Sequence, residues 1–123
     1  MTTALIIEDN DDNMALISFI LQKAGYDLLE ARTGEAGIDM VLAHRPDFII
    51  LDIQLPGIDG YEVLKRIRSS EINGSIPIIA MTSFAMSGDR ERLLASGCSG
   101  YIEKPFDPKS VIQQIKAVIE GSH

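Results

Sequence analysis

The chain has 123 residues, with 18 acidic and 11 basic side chains and a formal net charge of −7. This charge argues against a surface that binds duplex nucleic acid, which needs clustered Lys and Arg. The only cysteine, Cys98, leaves no internal disulfide and no CxxC pair, and no apolar run reaches the roughly 18 residues of a membrane span. Because the amino-terminal residues also lack the features of a signal peptide, we expect a cytoplasmic protein that contacts neither nucleic acid nor membranes.

The length predicts one domain, which we place at residues 1–120, with residues 121–123 as a tail or tag remnant. Short apolar runs alternate with amphipathic stretches, a pattern that indicates strands followed by helices. In chain order we predict strand 4–7, helix 13–24, strand 27–32, helix 33–44, strand 48–52, helix 61–70, strand 77–82, helix 85–96, strand 100–103 and a last helix from residue 108. Five strands that alternate with five helices imply an α/β fold with a doubly wound parallel sheet, and we expect the flavodoxin-like strand order 2-1-3-4-5.

Several residues are expected to cap these helices. Asp11 or Asp12 is a suitable N-cap for the first helix, where negative charge also favours the positive end of the helix dipole. Thr33 can cap the second helix. Asp107 and Pro108 give the last helix an N-cap followed by proline at its first position.

The stretch at residues 46–60 contains the most informative side chain, Asp52. The apolar run before it is typical of a strand that is buried on both faces of a parallel sheet. The Leu-Pro-Gly-Ile-Asp-Gly sequence after Gln54 is too rich in Pro and Gly to continue a strand or a helix. Asp52 is therefore expected at the mouth of a loop, where it either caps a turn or takes part in chemistry.

Polar residues end four of the predicted strands at the same edge of the sheet, and these are Glu8 with Asp9, Asp52, Thr82 and Lys104. In the order 2-1-3-4-5, the first and third strands are neighbours, so Asp9 and Asp52 should face one another. Three carboxylates at one site repel each other, and a hard divalent cation with oxygen ligands is the usual resolution. We therefore predict a Mg²⁺ site.

The residues at this edge also predict a reaction. A cation beside Asp52 would neutralise charge on an incoming phosphoryl group, while Lys104 and the Thr82 hydroxyl could bind further phosphoryl oxygens. Asp52 would then be a nucleophile, and the product would be an acyl phosphate.

Over residues 3–119 the chain resembles the receiver domain of two-component response regulators, the chemotaxis-regulator type of fold. Four ordered motifs carry the resemblance: Glu-Asp at 8–9, Leu-Asp-Ile-Gln-Leu-Pro-Gly-Ile-Asp-Gly at 51–60, Met-Thr-Ser at 81–83 and Gly-Tyr-Ile-Glu-Lys-Pro-Phe at 100–106. By this resemblance Asp52 is the phosphoacceptor. Asp9, Asp52 and the Gln54 carbonyl would bind Mg²⁺ directly, and Glu8 would act through a metal-bound water.

The resemblance also implies a switch. Lys104 would contact the phosphoryl group, Thr82 would shift toward it, and Tyr101 would change rotamer in response. The Lys104-Pro105 peptide would be cis.

The implied phosphodonor is a histidine kinase or a histidine phosphotransfer protein. The chain would catalyse only its own phosphorylation and dephosphorylation. Because few residues follow position 119, we expect a stand-alone protein whose signal leaves through the face of the fourth helix, fifth strand and fifth helix. That face would bind a downstream protein or a second copy of the chain.

Three other interpretations suit this sequence less well. An Asp-nucleophile phosphatase usually has a second Asp two residues after the nucleophile, where this chain has Gln54. A receiver-like interaction module that takes no phosphate usually lacks the Asp or the Lys, and both are present here. A flavin-binding flavodoxin does not suit the acidic first loop.

The first helix has more apolar residues than one core stripe needs, so Leu16 or Phe19 is either core or part of a docking patch.

Overall fold

The computed structural model describes residues 2–55, 57–69, 76–83, 87–104 and 107–121. Its elements are, in chain order, β1 Thr3–Ile7, α1 Asp11–Lys23, β2 Asp27–Ala31, α2 Gly34–His44, β3 Phe48–Asp52, α3 Gly60–Arg68, β4 Ile78–Thr82, α4 Ser87–Ala95, β5 Gly100–Glu103 and α5 Pro108–Gly121. All strand pairs are parallel, and the sheet order is β2-β1-β3-β4-β5. The predicted α/β class and strand order are therefore confirmed.

The central strands are buried on both faces, which explains their continuous apolar runs. Residues such as Leu51 and Ala80 pack into one core with side chains of α2, α3 and α4. Their neighbours Ile50 and Met81 point the other way, into a second core with α1 and α5. Burial of each large apolar side chain contributes about 1.5–3 kcal/mol, so these two cores hold the carboxyl ends of the strands in fixed register.

The predicted cap of α1 is wrong. The N-cap is Asn10, whose side-chain oxygen accepts a hydrogen bond from the Asn13 N–H at 2.9 Å. The helix starts two residues earlier than predicted, so Asp11 and Asp12 lie in its first turn instead. Their charges still favour the positive end of the helix dipole there.

The other predicted caps agree with the structure. Thr33 Oγ1 accepts from the Ala36 N–H at 3.1 Å, and Asp107 Oδ1 accepts from the Lys109 N–H at 3.1 Å. The helix end predicted at residue 70, the helix start predicted at residue 85 and the predicted cis peptide at Pro105 lie outside the described residues. Within the described part of the chain, none of the helices combines the length and apolarity needed to cross a bilayer.

Arg68, the last residue of α3, ties that helix to the chain before β4 and β5. Its Nε donates to the Gly97 carbonyl at 2.7 Å, and its Nη1 donates to the Ile76 carbonyl. Its Nη2 lies 3.4 Å from Ser99 Oγ. These contacts are made by a fork of donors that only arginine provides, and they fix where the two strands begin.

Candidate phosphoacceptor site

The sheet brings five of the predicted site residues to its carboxyl edge. Glu8 and Asp9 directly follow β1, Asp52 and Thr82 are the last residues of β3 and β4, and Lys104 directly follows β5. The parallel ladder continues past β5, because the Lys104 N–H donates to the Thr82 carbonyl at 2.8 Å. The backbone therefore fixes the spacing of these side chains.

Three carboxylates form a tight cluster at this edge. Each of Glu8, Asp9 and Asp52 has a carboxylate oxygen within 4.8 Å of those of the other two. Glu8 and Asp52 are 0% and 2% exposed, whereas Asp9 is open to solvent. Two buried carboxylates and one exposed carboxylate make a site that can be reached from one side.

Lys104 is the cation that faces this cluster. Its Nζ lies 3.1 Å from Asp52 Oδ1 and 3.4 Å from Glu8 Oε1, and its side chain is largely buried. The contact to Glu8 is an ion pair without hydrogen-bond geometry, because Glu8 Oε1 has no hydrogen-bond partner. If all three carboxylates were ionised, the one ammonium group would leave two negative charges at the site.

Burial and the neighbouring Asp52 carboxylate raise the pKa of Glu8 from 4.5 to about 7. Burial is the largest cause, followed by the Asp52 carboxylate, which can accept a hydrogen bond from protonated Glu8 and repels its ionised form. The Asn10 N–H, which donates to Glu8 Oε2 at 3.2 Å, and the Lys104 ammonium partly oppose the increase in pKa. Below about pH 7, Glu8 is therefore mostly protonated, which lowers the negative charge of the cluster by one.

The donor set suits a hard divalent cation. All three clustered groups offer carboxylate oxygens, the ligands that Mg²⁺ prefers in proteins. The buried Glu8 Oε1 without a hydrogen-bond partner also leaves a polar atom that a cation or its water could satisfy. The residues present thus fit Mg²⁺ in charge and chemistry.

Gln54 links Asp52 to the neighbouring loop. Its N–H donates to Asp52 Oδ1 at 3.0 Å, and its side-chain Oε1 accepts from Ser83 Oγ at 2.8 Å. Both Gln54 and Ser83 are exposed, while Asp52 and Thr82 beside them are buried. A side-chain bridge therefore spans the two loops that follow β3 and β4, and the sequence pattern alone did not predict it.

Tyr101 does not belong to the cluster at the carboxyl edge. It lies on β5 in register with Ala80 and is partly buried against the core on the side of α2, α3 and α4. It precedes Lys104 by three residues and so lies within the strand rather than at its carboxyl end.

The loop between Asp52 and α3 is shaped by two glycines. Gly57 has φ +75°, a conformation that residues with a Cβ rarely adopt. A Cβ at Gly60 would collide with the backbone of Ile53. Asp59 between them caps α3 by accepting from the Glu62 N–H at 3.0 Å. The Asp-x-x-Glu spacing at 59–62 is a capping-box signal that could have identified this cap from the sequence.

Comparison with known proteins places this geometry in context. A family model described as "Response regulator receiver domain" matches residues 4–116. The polar-differentiation response regulator DivK of Brucella anthropi is 40% identical over 117 residues, which cover 95% of each chain.

Two solved structures share the fold. The chemotaxis response regulator CheY4 of Vibrio cholerae matches with a TM-score of 0.91 and 27% identity, covering 96% of this chain and 98% of that chain. The receiver domain of a sensor histidine kinase from Pseudomonas aeruginosa matches with a TM-score of 0.88 and 33% identity, covering 97% of this chain and 98% of that chain. In that structure a magnesium ion is coordinated in the active-site cleft.

Proposed function

Because the chain belongs to the response regulator receiver domain family, we propose that it accepts a phosphoryl group on Asp52. The proposal rests on the surroundings of the buried Asp52 carboxylate. Lys104 Nζ lies 3.1 Å from Asp52 Oδ1, and the Gln54 N–H donates to the same oxygen at 3.0 Å. Two further carboxylates lie beside it. A carboxylate held in this way is oriented for attack and faces a fixed positive charge.

In the proposed reaction, a carboxylate oxygen of Asp52 attacks the phosphorus atom of a phosphohistidine. The phosphorus–nitrogen bond breaks, and the histidine nitrogen keeps the electron pair. Lys104 then exchanges its contact with Asp52 for a phosphoryl oxygen, and the Thr82 hydroxyl donates to another. Both side chains come from the ends of neighbouring strands, so little rearrangement is needed.

We propose that Mg²⁺ binds at Glu8, Asp9 and Asp52, with the Gln54 carbonyl as a further oxygen ligand. When bound, the ion would neutralise carboxylate and phosphoryl charge. The ion would enter from the side of Asp9, which is the exposed member of the cluster. Glu8, which is fully buried, would hold the ion through water.

The test uses acetyl phosphate as donor and intact-mass spectrometry as readout. Wild-type protein should gain one phosphate adduct in the presence of Mg²⁺ and none after chelation. Asp52→Asn should gain none, and Asp59→Asn, which alters an exposed Asp nearby, should behave as wild type. A full adduct on Asp52→Asn would refute the assignment.

We further propose that the phosphodonor is a histidine kinase or histidine phosphotransfer protein and that output passes through the face of α4, β5 and α5. A cavity of about 430 Å³ lies between β5 and α5, and Tyr101, Glu103 and Gln114 are among the residues that line it. If Thr82 moves toward a phosphoryl oxygen, Tyr101 can turn into the space behind it and change this cavity. A downstream protein or a second copy would bind the changed face.

Beryllofluoride, which mimics a phosphoryl group, tests this output route. Amide NMR spectra with and without beryllofluoride and Mg²⁺ should differ at the Asp52 loop and also across residues 87–104. Changes confined to the Asp52 loop would contradict the proposed route while leaving phosphorylation itself intact.

A further inference from the structure

Helix α4 is anchored to the core by few of its described side chains. Among those of residues 91–95, only the Leu93 side chain is buried, whereas α3 buries Val63, Leu64 and Ile67. A cavity of about 570 Å³ also lies between α3 and α4. Because one large apolar side chain anchors this part of α4, a small displacement of the helix disturbs little packing.

Two contacts to α3 restrain α4 at different positions along its length. Arg68 Nε donates to the Gly97 carbonyl at 2.7 Å, which fixes the chain just after the helix ends. The Arg92 guanidinium stacks on the Tyr61 ring, 3.7 Å from its centroid. At a rise of about 1.5 Å per residue, Arg92 lies about 7.5 Å from the fixed end and Ser87 about 15 Å from it. A tilt of α4 about Gly97 therefore moves Arg92 about half as far as it moves the start of the helix.

The Tyr61 ring is tied to the chain that follows the phosphoacceptor. Tyr61 directly follows Gly60, whose N–H donates to the Ile53 carbonyl at 3.0 Å, and Ile53 directly follows Asp52. The ring is thus a reference point whose position relative to Asp52 is fixed by the backbone. Through Arg92, α4 is held to this point.

We infer that the stack of Arg92 on Tyr61 is a latch that holds α4 in its present arrangement and opposes the arrangement that forms when Asp52 carries a phosphoryl group. The inference rests on the proposed function, because phosphorylation supplies the displacement. A shift of Thr82 toward the phosphoryl group would draw the start of α4 with it, and the tilt would pull Arg92 away from the ring. An exposed cation–π contact changes such an equilibrium by about two- to fivefold.

The charge of Arg92 by itself predicts the opposite effect. If the guanidinium acted only by attracting an anionic group at Asp52, its removal would weaken the binding of that group. If it acts as a latch, its removal strengthens the binding. Tyr61→Leu, which changes no charge, should then act in the same direction as Arg92→Gln.

Beryllofluoride titration in the presence of Mg²⁺, followed by amide NMR, measures this equilibrium. Tyr61→Leu and Arg92→Gln should each bind beryllofluoride about two- to fivefold more tightly than wild type. The double variant should bind no more tightly than either single variant, because both substitutions remove the same contact. Tyr61→Phe keeps the ring and should match wild type, as should Glu91→Gln, which alters the exposed neighbour of Arg92.

Hydrogen exchange without beryllofluoride tests the latch separately from the proposed function. Amides of residues 91–95 should exchange about two- to fivefold faster in Tyr61→Leu and in Arg92→Gln than in wild type, while those of α1 and α5 keep their rates. In wild type, nuclear Overhauser effects between the Tyr61 ring and the Arg92 side chain should be present without beryllofluoride and lost with it.

Unchanged exchange in α4, unchanged or weaker beryllofluoride binding by either single variant, or additive effects in the double variant would overturn the inference. A wild-type protein that binds no beryllofluoride would instead refute the proposed role of Asp52. The exchange rates would in that case still decide whether the stack holds α4.

Discussion

Replacing Glu8 with Gln removes the charge of the most buried carboxyl group in the site while keeping its shape. Glu8 is 0% exposed, and its pKa is raised from 4.5 to about 7 by burial and by Asp52. At about 1.4 kcal/mol per pKa unit, ionised Glu8 costs the folded protein at most about 3.5 kcal/mol relative to the unfolded chain. Gln cannot ionise, and its amide can still donate to Asp52.

The sign of the pH dependence follows from where the proton is held. Between pH 4.5 and about 7, the folded protein keeps the Glu8 proton, while the unfolded chain has released it. The contribution of Glu8 to stability therefore falls as pH rises through this interval and becomes constant above it. Glu8→Gln should consequently stabilise the protein by about 1–3 kcal/mol at pH 8 and by much less at pH 5.

Urea denaturation at the two pH values, without divalent cations, measures this difference. Glu91→Gln, which alters an exposed glutamate on α4, is the control and should change the free energy of unfolding by less than about 0.5 kcal/mol at either pH. A Glu8→Gln variant that is less stable than wild type at pH 8, or equally changed at both pH values, would refute the account of the buried charge.

Three further substitutions give distinct outcomes. Lys104→Ala should slow phosphorylation by acetyl phosphate by about a hundredfold, because a fixed positive charge at the phosphoryl oxygens is lost. Calorimetry should nevertheless show that Mg²⁺ affinity is unchanged or higher, because a positive charge near the metal site is removed. A large fall in Mg²⁺ affinity would contradict the placement of Lys104. Arg68→Lys should lower the free energy of unfolding by about 1–3 kcal/mol in urea denaturation, because lysine cannot make the forked contacts to the chain before β4 and β5. The control Arg66→Lys, on the exposed side of the same helix, should leave this free energy nearly unchanged. Arg45 caps α2 with φ +48°, a conformation that costs a residue with a Cβ more than it costs glycine. The Arg45→Gly variant should therefore be more stable than Arg45→Ala by about 1 kcal/mol in the same assay. Equal stabilities would rule out strain at this residue.

The Mg²⁺ dependence on pH is a fifth measurable outcome. Because Glu8 holds a proton below about pH 7, Mg²⁺ affinity measured by calorimetry should rise from pH 6 to pH 8. Glu8→Gln should flatten this rise, and an unchanged slope in that variant would show that another group controls it.

The strands and the polar residues that end them were predictable because both are local signals, whereas the strand order was expected from the flavodoxin-like fold. The runs before Asp52 and Thr82 are buried on both faces, and such runs suit only the interior of a parallel sheet. Once the order is known, residues that end neighbouring strands must lie close together. The strand-end positions, together with the expected strand order, therefore predicted that Glu8, Asp9 and Asp52 share one edge.

The N-cap of α1 was not predictable to the residue, because Asn10, Asp11 and Asp12 all belong to the residue types that cap helices well. Only the backbone decides among them, and it places Asn10 in the extended conformation that a cap requires.

The Gln54–Ser83 hydrogen bond could not be predicted for another reason. It joins loops 29 residues apart in sequence, and its geometry depends on the pairing of β3 with β4.

The exposure of Phe19 depends on how α5 packs against α1. Helical periodicity identified an apolar surplus on the first helix, but it did not distinguish Leu16 from Phe19. The structure leaves Phe19 exposed and Leu16 partly buried against the α1 and α5 core. Lys109 and Lys116 of α5 line the same groove as Lys23 of α1, an arrangement that no local pattern encodes.

Chemical trapping tests most directly whether the Asp52 carboxylate becomes an acyl phosphate. Borohydride reduces an aspartyl phosphate to homoserine, so protein treated with acetyl phosphate and Mg²⁺ and then with borohydride should carry homoserine at position 52. Peptide mass spectrometry should find that product there, and chelation of Mg²⁺ should abolish it. Homoserine at another aspartate, or none at any position while the protein remains folded and binds Mg²⁺, would contradict the account.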